Sequence, residues 1–445
     1  MFVSRRVNEL PPYVFAALDG RIAELRAQGR VVVDLGRADP DHAAPDAVVA
    51  AVIRASQIPE YHHYPPYAGM PTLRHAVARW YADRHGVSLD PETEILITGG
   101  AKEGLFHVAF GVCDPGDVAL VPDPSFPAYR MGAYFAGAEV VSMPLRPERG
   151  YLPDLGTVTE AVARRARVMF LNYPNNPTGA TASARFLGDA VAFARRHSIL
   201  LCYDLTYGES GYDGYRAPSV LGVEGGRDVA LEFISWSNAF CMPGWRLGAV
   251  VGNAAGIAAL RHVETQVNTG VFPAVQIAGA AALDEAGHSG FLTAINESYR
   301  ARRDRMVDVL TELGLQVRRP RATPFLWIPC PDARPSNEYA AWLLEETGVA
   351  LAPGSGFGAG GEGFLRLSLT ALAADVEEAG ERLRRLGPEG LHPPRLPPVV
   401  RSAAVPALPE RRVRVHQGAQ HGRGGVSETV GEDPPTLAAA LRGSL

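Results

Sequence analysis

Short apolar runs separated by amphipathic stretches dominate the chain from about residue 44 to 275. The runs are EILITGG (94–100), VALVPDP (118–124), EVVSMPL (139–145), RVMFLNYP (167–174), ILLCYD (199–204), ALEFISWS (230–237) and LGAVVGN (247–253). Their length suits buried strands. Between them, TLRHAVARWYADRH (72–85) places Leu73, Ala76, Val77 and Trp80 on one helical face. A further helix opens at Ala101, and another covers 182–197. Buried strands alternating with helices predict an α/β layer with a mostly parallel sheet. After residue 276 the pattern changes to a long helical region (276–313), then QVRRP, PFLWIPC and FLRLSLT as strands. Residues 372–386 follow as an amphipathic helix with Leu372, Val376, Ala379, Leu383 and Leu386 inward. This reads as a smaller α+β domain. Residues 388–445 are rich in Pro, Gly and Arg without periodicity, the signature of a largely disordered tail. The expected division is therefore an N-terminal segment on the small-domain side (1–43), a large domain (44–275), a small domain (276–387) and the tail (388–445).

Composition narrows the class. A chain of 445 residues is long enough for two domains, and 47% hydrophobic residues suit a soluble protein. A net charge of −5 argues against nucleic acid or a polybasic membrane surface as partner. No apolar run approaches a membrane span, and the N-terminus lacks the apolar core of a signal peptide. Cys113, Cys202, Cys241 and Cys330 form no CxxC pair, and no Cys/His cluster has zinc-ligand spacing. A reduced, cytoplasmic, metal-free enzyme is the expectation. Of 43 Lys and Arg residues only Lys102 is lysine; codon bias explains that average but no single position.

Five segments carry candidate chemistry. Gly99-Gly100-Ala101-Lys102-Glu103 follows a strand and opens a helix, where backbone N–H groups and the helix dipole suit a phosphate. PDPSFPAY (122–129) sets Phe126 after a strand, where its ring has room to stack on a planar ligand. NYPNNPTG (172–179) lies at a strand's carboxyl end, where ligands of open α/β sheets collect, with Asn176 between prolines. Asp204 ends the buried run LLCYD, and such a carboxylate needs a partner, for instance a protonated ring nitrogen. Tyr207 follows three residues on. In SWSNAFCMPGWRLG (235–248), Ser235 and Ser237 read as neighbours on one strand face, with Arg246 completing a phosphate cup. The Gly-rich run GSGFGAGGEG (354–363) precedes a strand and is no dinucleotide fingerprint.

Taken together, these segments resemble the class I/II aminotransferases, the fold type I pyridoxal-phosphate enzymes, in the LL-diaminopimelate/alanine aminotransferase-like branch. The resemblance spans roughly residues 30–386 and includes YHHYPPYAGMPTLRHAVARWY and PGSGFGAGGEGFLRLSLT. It implies backbone contacts to the cofactor phosphate from Gly100, Ala101 and Lys102, aided by Ser235, Ser237 and Arg246. It also implies ring stacking by Phe126, contacts from Asn176 and Tyr207 to the pyridine oxygen, and Asp204 on the ring nitrogen. Tyr64 matches the tyrosine that reaches the phosphate of the other subunit, so a homodimer is implied. Arg366 matches the arginine that binds a substrate α-carboxylate. The substrate pocket would draw on Gly36, Tyr67 and the segment 268–273.

At one position the chain departs from the family. Its motif Ser-x-Ser-Lys is followed by Gly-Trp-Arg; here Asn238 occupies the place of the Schiff-base lysine, and Ser237 and Arg246 hold the register. A carboxamide has neither the nucleophilic amine nor the basicity of that lysine. The expectation is noncovalent binding of pyridoxal or pyridoxamine phosphate, an amino-acid-type substrate of specialised metabolism, and impaired ordinary transamination. The alternatives are an ordinary aminotransferase carrying an introduced Lys-to-Asn change, and a non-catalytic binding or scaffold homologue. Lys102 is a poor substitute, with its side chain expected to point away; Cys241, Tyr67 and Tyr207 are the other candidate proton carriers.

Overall fold

The computed structural model describes residues 2–10 and 13–392. Seven of the apolar runs form one sheet, in the order Ile95–Thr98, Gly248–Gly252, Ala230–Ser235, Leu200–Asp204, Ala166–Asn172, Val118–Asp123, Glu139–Pro144. Gly248–Gly252 pairs antiparallel with both its neighbours, and the remaining pairs are parallel. Helices cover the sheet, so the central strands are buried on both faces and read as continuous apolar runs. The parallel arrangement brings Asp123, Asn172, Asp204 and Ser235 to the carboxyl ends of their strands, on one edge of the sheet.

A second, antiparallel sheet joins Ala352–Pro353, Phe364–Ser368 and Phe325–Pro329. Its apolar core combines Leu326, Ile328, Leu365 and Leu367 with Met306 and Leu310 from the helix Phe291–Glu312 and with Val33 and Leu35 from near the N-terminus. Buried Arg302 ties the same parts together, with Nη2 2.7 Å from Asp41 and Nη1 donating to the carbonyls of Leu369 and Ala371.

The structure departs from the periodicity reading at several points. QVRRP forms no strand; it finds no ladder partner, and Arg318 instead lies over the Tyr151 ring at 6.0 Å. Leu372 is 56% exposed rather than inward, because it sits at the N-cap of the helix Ala373–Gly390, outside the buried stripe. The helical region after 276 is two helices, Pro273–Ala286 and Phe291–Glu312. The first packs on the helices Asp46–Ser56 and Pro71–His85, so a division after residue 275 falls within an element of the larger core. The expected tail begins too early at 388, since helix continues to Gly390 past a non-helical Gly387. Beyond 392 that expectation lies outside the described residues.

Glu232 is a fully buried acid of the main sheet, and its hydrogen-bond donors are all neutral. It accepts from the Tyr81 hydroxyl at 2.6 Å, the Ser219 hydroxyl at 3.0 Å and the Val220 amide at 2.8 Å. Burial pushes its carboxyl up to about 7. A raised carboxyl stabilises the fold most below its unfolded value near 4.5, and that contribution is lost as pH rises through about 7. Glu232→Gln mimics the protonated form. It is expected to flatten the stability profile between pH 5 and 8, and to gain on the order of 1–3 kcal/mol over the parent at pH 8 in urea unfolding.

Candidate functional site

The helix Ala101–Val112 begins where Ile95–Thr98 ends, and Gly100 makes that junction possible. Its φ of +94° belongs to glycine, and a Cβ there would stand 2.5 Å from the Arg246 guanidinium. Gly100 donates its own N–H to the Thr98 carbonyl at 2.8 Å. The amides left for a ligand are therefore those of Ala101 and Lys102, in the first turn where no intrahelical acceptor exists. This corrects the expected role of Gly100 from donor to conformational hinge. Arg246 donates to the carbonyls of Pro243 and Gly99, at 2.9 and 3.2 Å, which places its charge beside this turn. Gly248 lets its strand approach, since a Cβ there would collide with the Ala101 nitrogen.

Ser235 and Ser237 do not share a strand face. The strand ends at Ser235, and Trp236–Ala239 is a helical turn whose cap is the Ser235 hydroxyl, accepting from the Ser237 amide at 3.1 Å. Burial of Trp236, whose indole N–H donates to the Gly279 carbonyl at 2.9 Å, turns the chain there.

Asp204 is buried and accepts from the Tyr129 hydroxyl at 2.5 Å and the Thr206 amide at 3.0 Å. Burial raises its carboxyl above the ordinary range, and among the described residues no cationic side chain pairs with it. Tyr129 was missed in the sequence, though it stands three residues after Phe126 in the same PDPSFPAY string. Its ring stacks on Phe170 at 5.1 Å and meets Phe126 edge-on at 5.9 Å.

Asn172, also missed, links the next two elements. Its Nδ2 donates to the Asp204 carbonyl at 2.8 Å, and its Oδ1 accepts from the Asn176 amide at 2.8 Å. Asn176 Oδ1 in turn accepts from Arg366 Nη1 at 2.9 Å, which leaves the Asn176 amide nitrogen as its donor. Arg366 Nη2 donates to the Gly36 carbonyl at 2.8 Å, while buried Nε has no partner among the described residues. The rings of Phe15, Phe325 and Phe357 lie 5.1, 4.5 and 4.9 Å from the guanidinium carbon. Burial pulls Arg366 down to about 10. It remains cationic at neutral pH.

Tyr207 is buried edge-on to Phe325 at 5.2 Å. Burial raises its phenol, with Arg366 and the neighbouring Asn238 side chain acting in the opposite direction. Asn238 Oδ1 is buried without a hydrogen-bond partner among the described residues. Tyr207, Asn238, Arg366, Asn176 and Gly36 are thus one neighbourhood.

Other expected residues fall elsewhere. Tyr64 is 85% and Tyr67 53% exposed. Cys241 packs with Tyr212, Ile295 and Tyr299, and burial pushes its thiol up to about 12, which disfavours it as a base. Lys102 does not turn away: its ammonium lies 5.1 Å from the Tyr13 ring centre and 5.8 Å from that of Phe126. The Gly-rich run is explained by packing. Gly360 donates to Asp123 Oδ1 at 2.9 Å, and a Cβ at Gly358 would collide with that oxygen. A metal-free chain was expected, yet Glu103, His107 and Glu264 bring ligand-type atoms within 4.8 Å of one another. They are joined by hydrogen bonds described below.

The residues present fit pyridoxal phosphate. A buried carboxylate with only neutral donors suits a protonated ring nitrogen, the Ala101–Lys102 turn beside Arg246 suits a phosphate, and the Asn176 amide and Tyr207 hydroxyl suit a ring oxygen.

The family model described as aminotransferase class I and II matches residues 30–383. The chain is 46% identical over 381 residues to an LL-diaminopimelate aminotransferase of Desulforudis audaxviator, covering 86% of this chain and 97% of that one. It is 44% identical to the enzyme of the same name from Moorella thermoacetica, covering 86% and 98%. Among solved structures, substrate-bound BacF from Bacillus subtilis superposes with a TM-score of 0.83 at 35% identity, covering 87% and 98%. A probable N-succinyldiaminopimelate aminotransferase from Thermus thermophilus superposes with a TM-score of 0.79 at 35% identity, covering 84% and 99%.

Proposed function

The chain belongs to the class I and II aminotransferases, and from that membership we propose that it binds pyridoxal or pyridoxamine phosphate noncovalently and acts on a diamino dicarboxylic acid of the diaminopimelate kind. The observation that carries the noncovalent part is Asn238. Its carboxamide stands beside Tyr207, with one buried oxygen unpartnered, at the motif position where the family has lysine. The substrate class follows the names of the relatives.

When bound, the cofactor supplies a conjugated ring that accepts the electron pair released at the substrate carbon. Asp204, oriented by Tyr129 and Thr206, holds the ring nitrogen protonated. Asn176 and Tyr207 donate to the ring oxygen. Phe126 stacks on the ring, and Ala101, Lys102, Ser235, Ser237 and Arg246 hold the phosphate. Arg366 takes the substrate α-carboxylate through its unpartnered Nε side, with Gly36 and Asn176 fixing its plane. Asn238 offers no base for the substrate proton, and the raised Tyr207 phenol keeps its own. Losing a positioned base typically costs about 10²–10⁴-fold, so turnover is slow.

Tyr64, Tyr67, Val267 and Phe272 are each exposed, and a Cβ at Gly270 would meet Pro65 at 2.9 Å, so the loops that carry them touch. This face suits a second copy of the chain, with Tyr64 reaching the other subunit's phosphate. All four cysteines are buried and unpaired, consistent with the cytoplasm. Among the described residues, no helix is long and apolar enough to cross a membrane.

Pyridoxal phosphate titrated into the purified chain is expected to bind with a change in absorbance. Borohydride treatment followed by intact-mass measurement is expected to add no mass. An added cofactor mass would overturn noncovalent binding, and mapping it to Lys102 would assign that residue as the anchor.

A further inference from the structure

A glutamate in the third position of a helix ordinarily reaches back to the N-cap amide. Glu103 holds that position in Ala101–Val112 but bypasses Gly100, whose N–H is taken by Thr98. Its Oε2 instead accepts from the amide of Gly99. On the other flank Arg246 Nη2 donates to the Gly99 carbonyl at 3.2 Å. An anion and a cation thus orient the two peptide planes around Gly99, two residues before the first amide available to a phosphate. The space is tight: a Cβ on Gly99 would stand 2.8 Å from Glu103 Oε2.

Glu103 is itself held. Asn268 Nδ2 donates to Glu103 Oε1 at 2.6 Å and to Glu264 Oε2 at 2.8 Å. Glu264 Oε1 pairs with His107 Nδ1 at 3.0 Å. Glu264 is buried, and Glu103 is half-buried. Two carboxylates sharing one amide donor, with an imidazole at the far end, cost free energy to bring together. A plain helix cap would need none of this, because a water or a serine serves an exposed N-terminus.

We infer that Glu103 is a positioning residue for the phosphate turn: its carboxylate, fixed by Asn268 and through it by Glu264 and His107, sets the Gly99 peptide and so aims the amides of Ala101 and Lys102. The inference rests on the cofactor reading above. Glu103 touches no ligand in this scheme and acts only through the turn. Its loss therefore weakens ligands that carry a phosphate and spares those that do not.

The test compares dissociation constants for pyridoxal phosphate and for pyridoxal, read by fluorescence quenching on the full chain without substrate. Glu103→Ala is expected to raise the constant for pyridoxal phosphate about 10–100-fold, the scale of one hydrogen bond to a charged group, and to leave that for pyridoxal unchanged. Glu103→Gln keeps an acceptor for Gly99 but sets its own amide against Asn268, so it is expected to rescue part of the loss. Equal weakening for both ligands, or none for either, overturns the inference. Should Glu103→Ala fail to fold, Asn268→Ala is expected to show the same selectivity at smaller amplitude, and equal or absent effects there overturn it too. If the unaltered chain binds neither ligand, the cofactor reading falls and takes this inference with it. Selective binding by the unaltered chain without selectivity in the variants removes this inference alone.

Discussion

Asn238→Lys is expected to raise amino transfer from LL-diaminopimelate to a 2-oxo acid by about 10²–10⁴-fold, the usual worth of a positioned general base. The reason lies in what surrounds the position. Asn238 stands beside Tyr207, whose buried phenol is raised and keeps its proton, and Tyr207 in turn feels the cationic Arg366. An amine introduced there is partly removed from water beside Tyr207, in the neighbourhood of the Arg366 cation, and both conditions lower an ammonium pKa toward neutrality. Such an amine serves both as nucleophile and as proton carrier. The variant is also expected to gain cofactor mass after borohydride, at residue 238. A gain in both mass and rate identifies an aminotransferase site that is complete but for its lysine, as the alternative of an altered ordinary enzyme requires. A gain in mass without rate counts against that alternative and assigns the pocket to other chemistry.

Asp204→Asn is expected to act with opposite signs on the free and the loaded chain. Without cofactor, the carboxylate is buried against Tyr129 and Thr206 with no cationic partner among the described residues, and burial raises its carboxyl. Neutralising it removes a desolvation cost, so the cofactor-free variant is expected to melt higher at pH 7.5, by roughly 1–2 kcal/mol of stability. With cofactor, the same change removes the partner of the ring nitrogen and is expected to weaken binding about 10–100-fold. Melting curves with and without pyridoxal phosphate read both effects. A purely structural carboxylate would lower stability in both conditions, and that result would remove Asp204 from the cofactor site.

Much of the fold is legible in local pattern. Each apolar run of the first 275 residues became a strand of the main sheet, and the central ones are apolar throughout because they are buried on both faces. QVRRP failed because alternation alone does not make a strand; a partner must offer its ladder, and none lies beside residues 316–320. Leu372 failed because helical periodicity does not mark where a helix begins. Ser235 and Ser237 failed for a related reason: two-residue alternation assumes the strand continues, whereas buried Trp236 ends it there.

The site divides in the same way. Asn176, Asp204 and Arg246 stand out in the sequence, because charged and amide side chains beside apolar strands need a reason to be there; Tyr207 draws notice by its place after Asp204, and Arg366 only through the family resemblance. Tyr129, Asn172 and Glu103 do not, since a tyrosine, an asparagine or a glutamate in such a place is ordinary until its partner is known. Those partners are far along the chain: Tyr129 meets Asp204 across 75 positions, and Asn268 meets Glu103 across 165.

By itself, then, the sequence determined the strands, the order of chemical groups at their carboxyl ends, and the asparagine at residue 238. These follow from side-chain type and short-range periodicity. Only the tertiary structure decided which oxygen faces which donor. It seats Arg366 among three aromatic rings with one nitrogen unpartnered, and it swings Lys102 over Phe126. It also passes the hold on the Gly99 turn from Glu103 to His107. The physical reason is that a buried polar group must find its partner wherever packing has brought one, and packing joins segments that local pattern treats as independent.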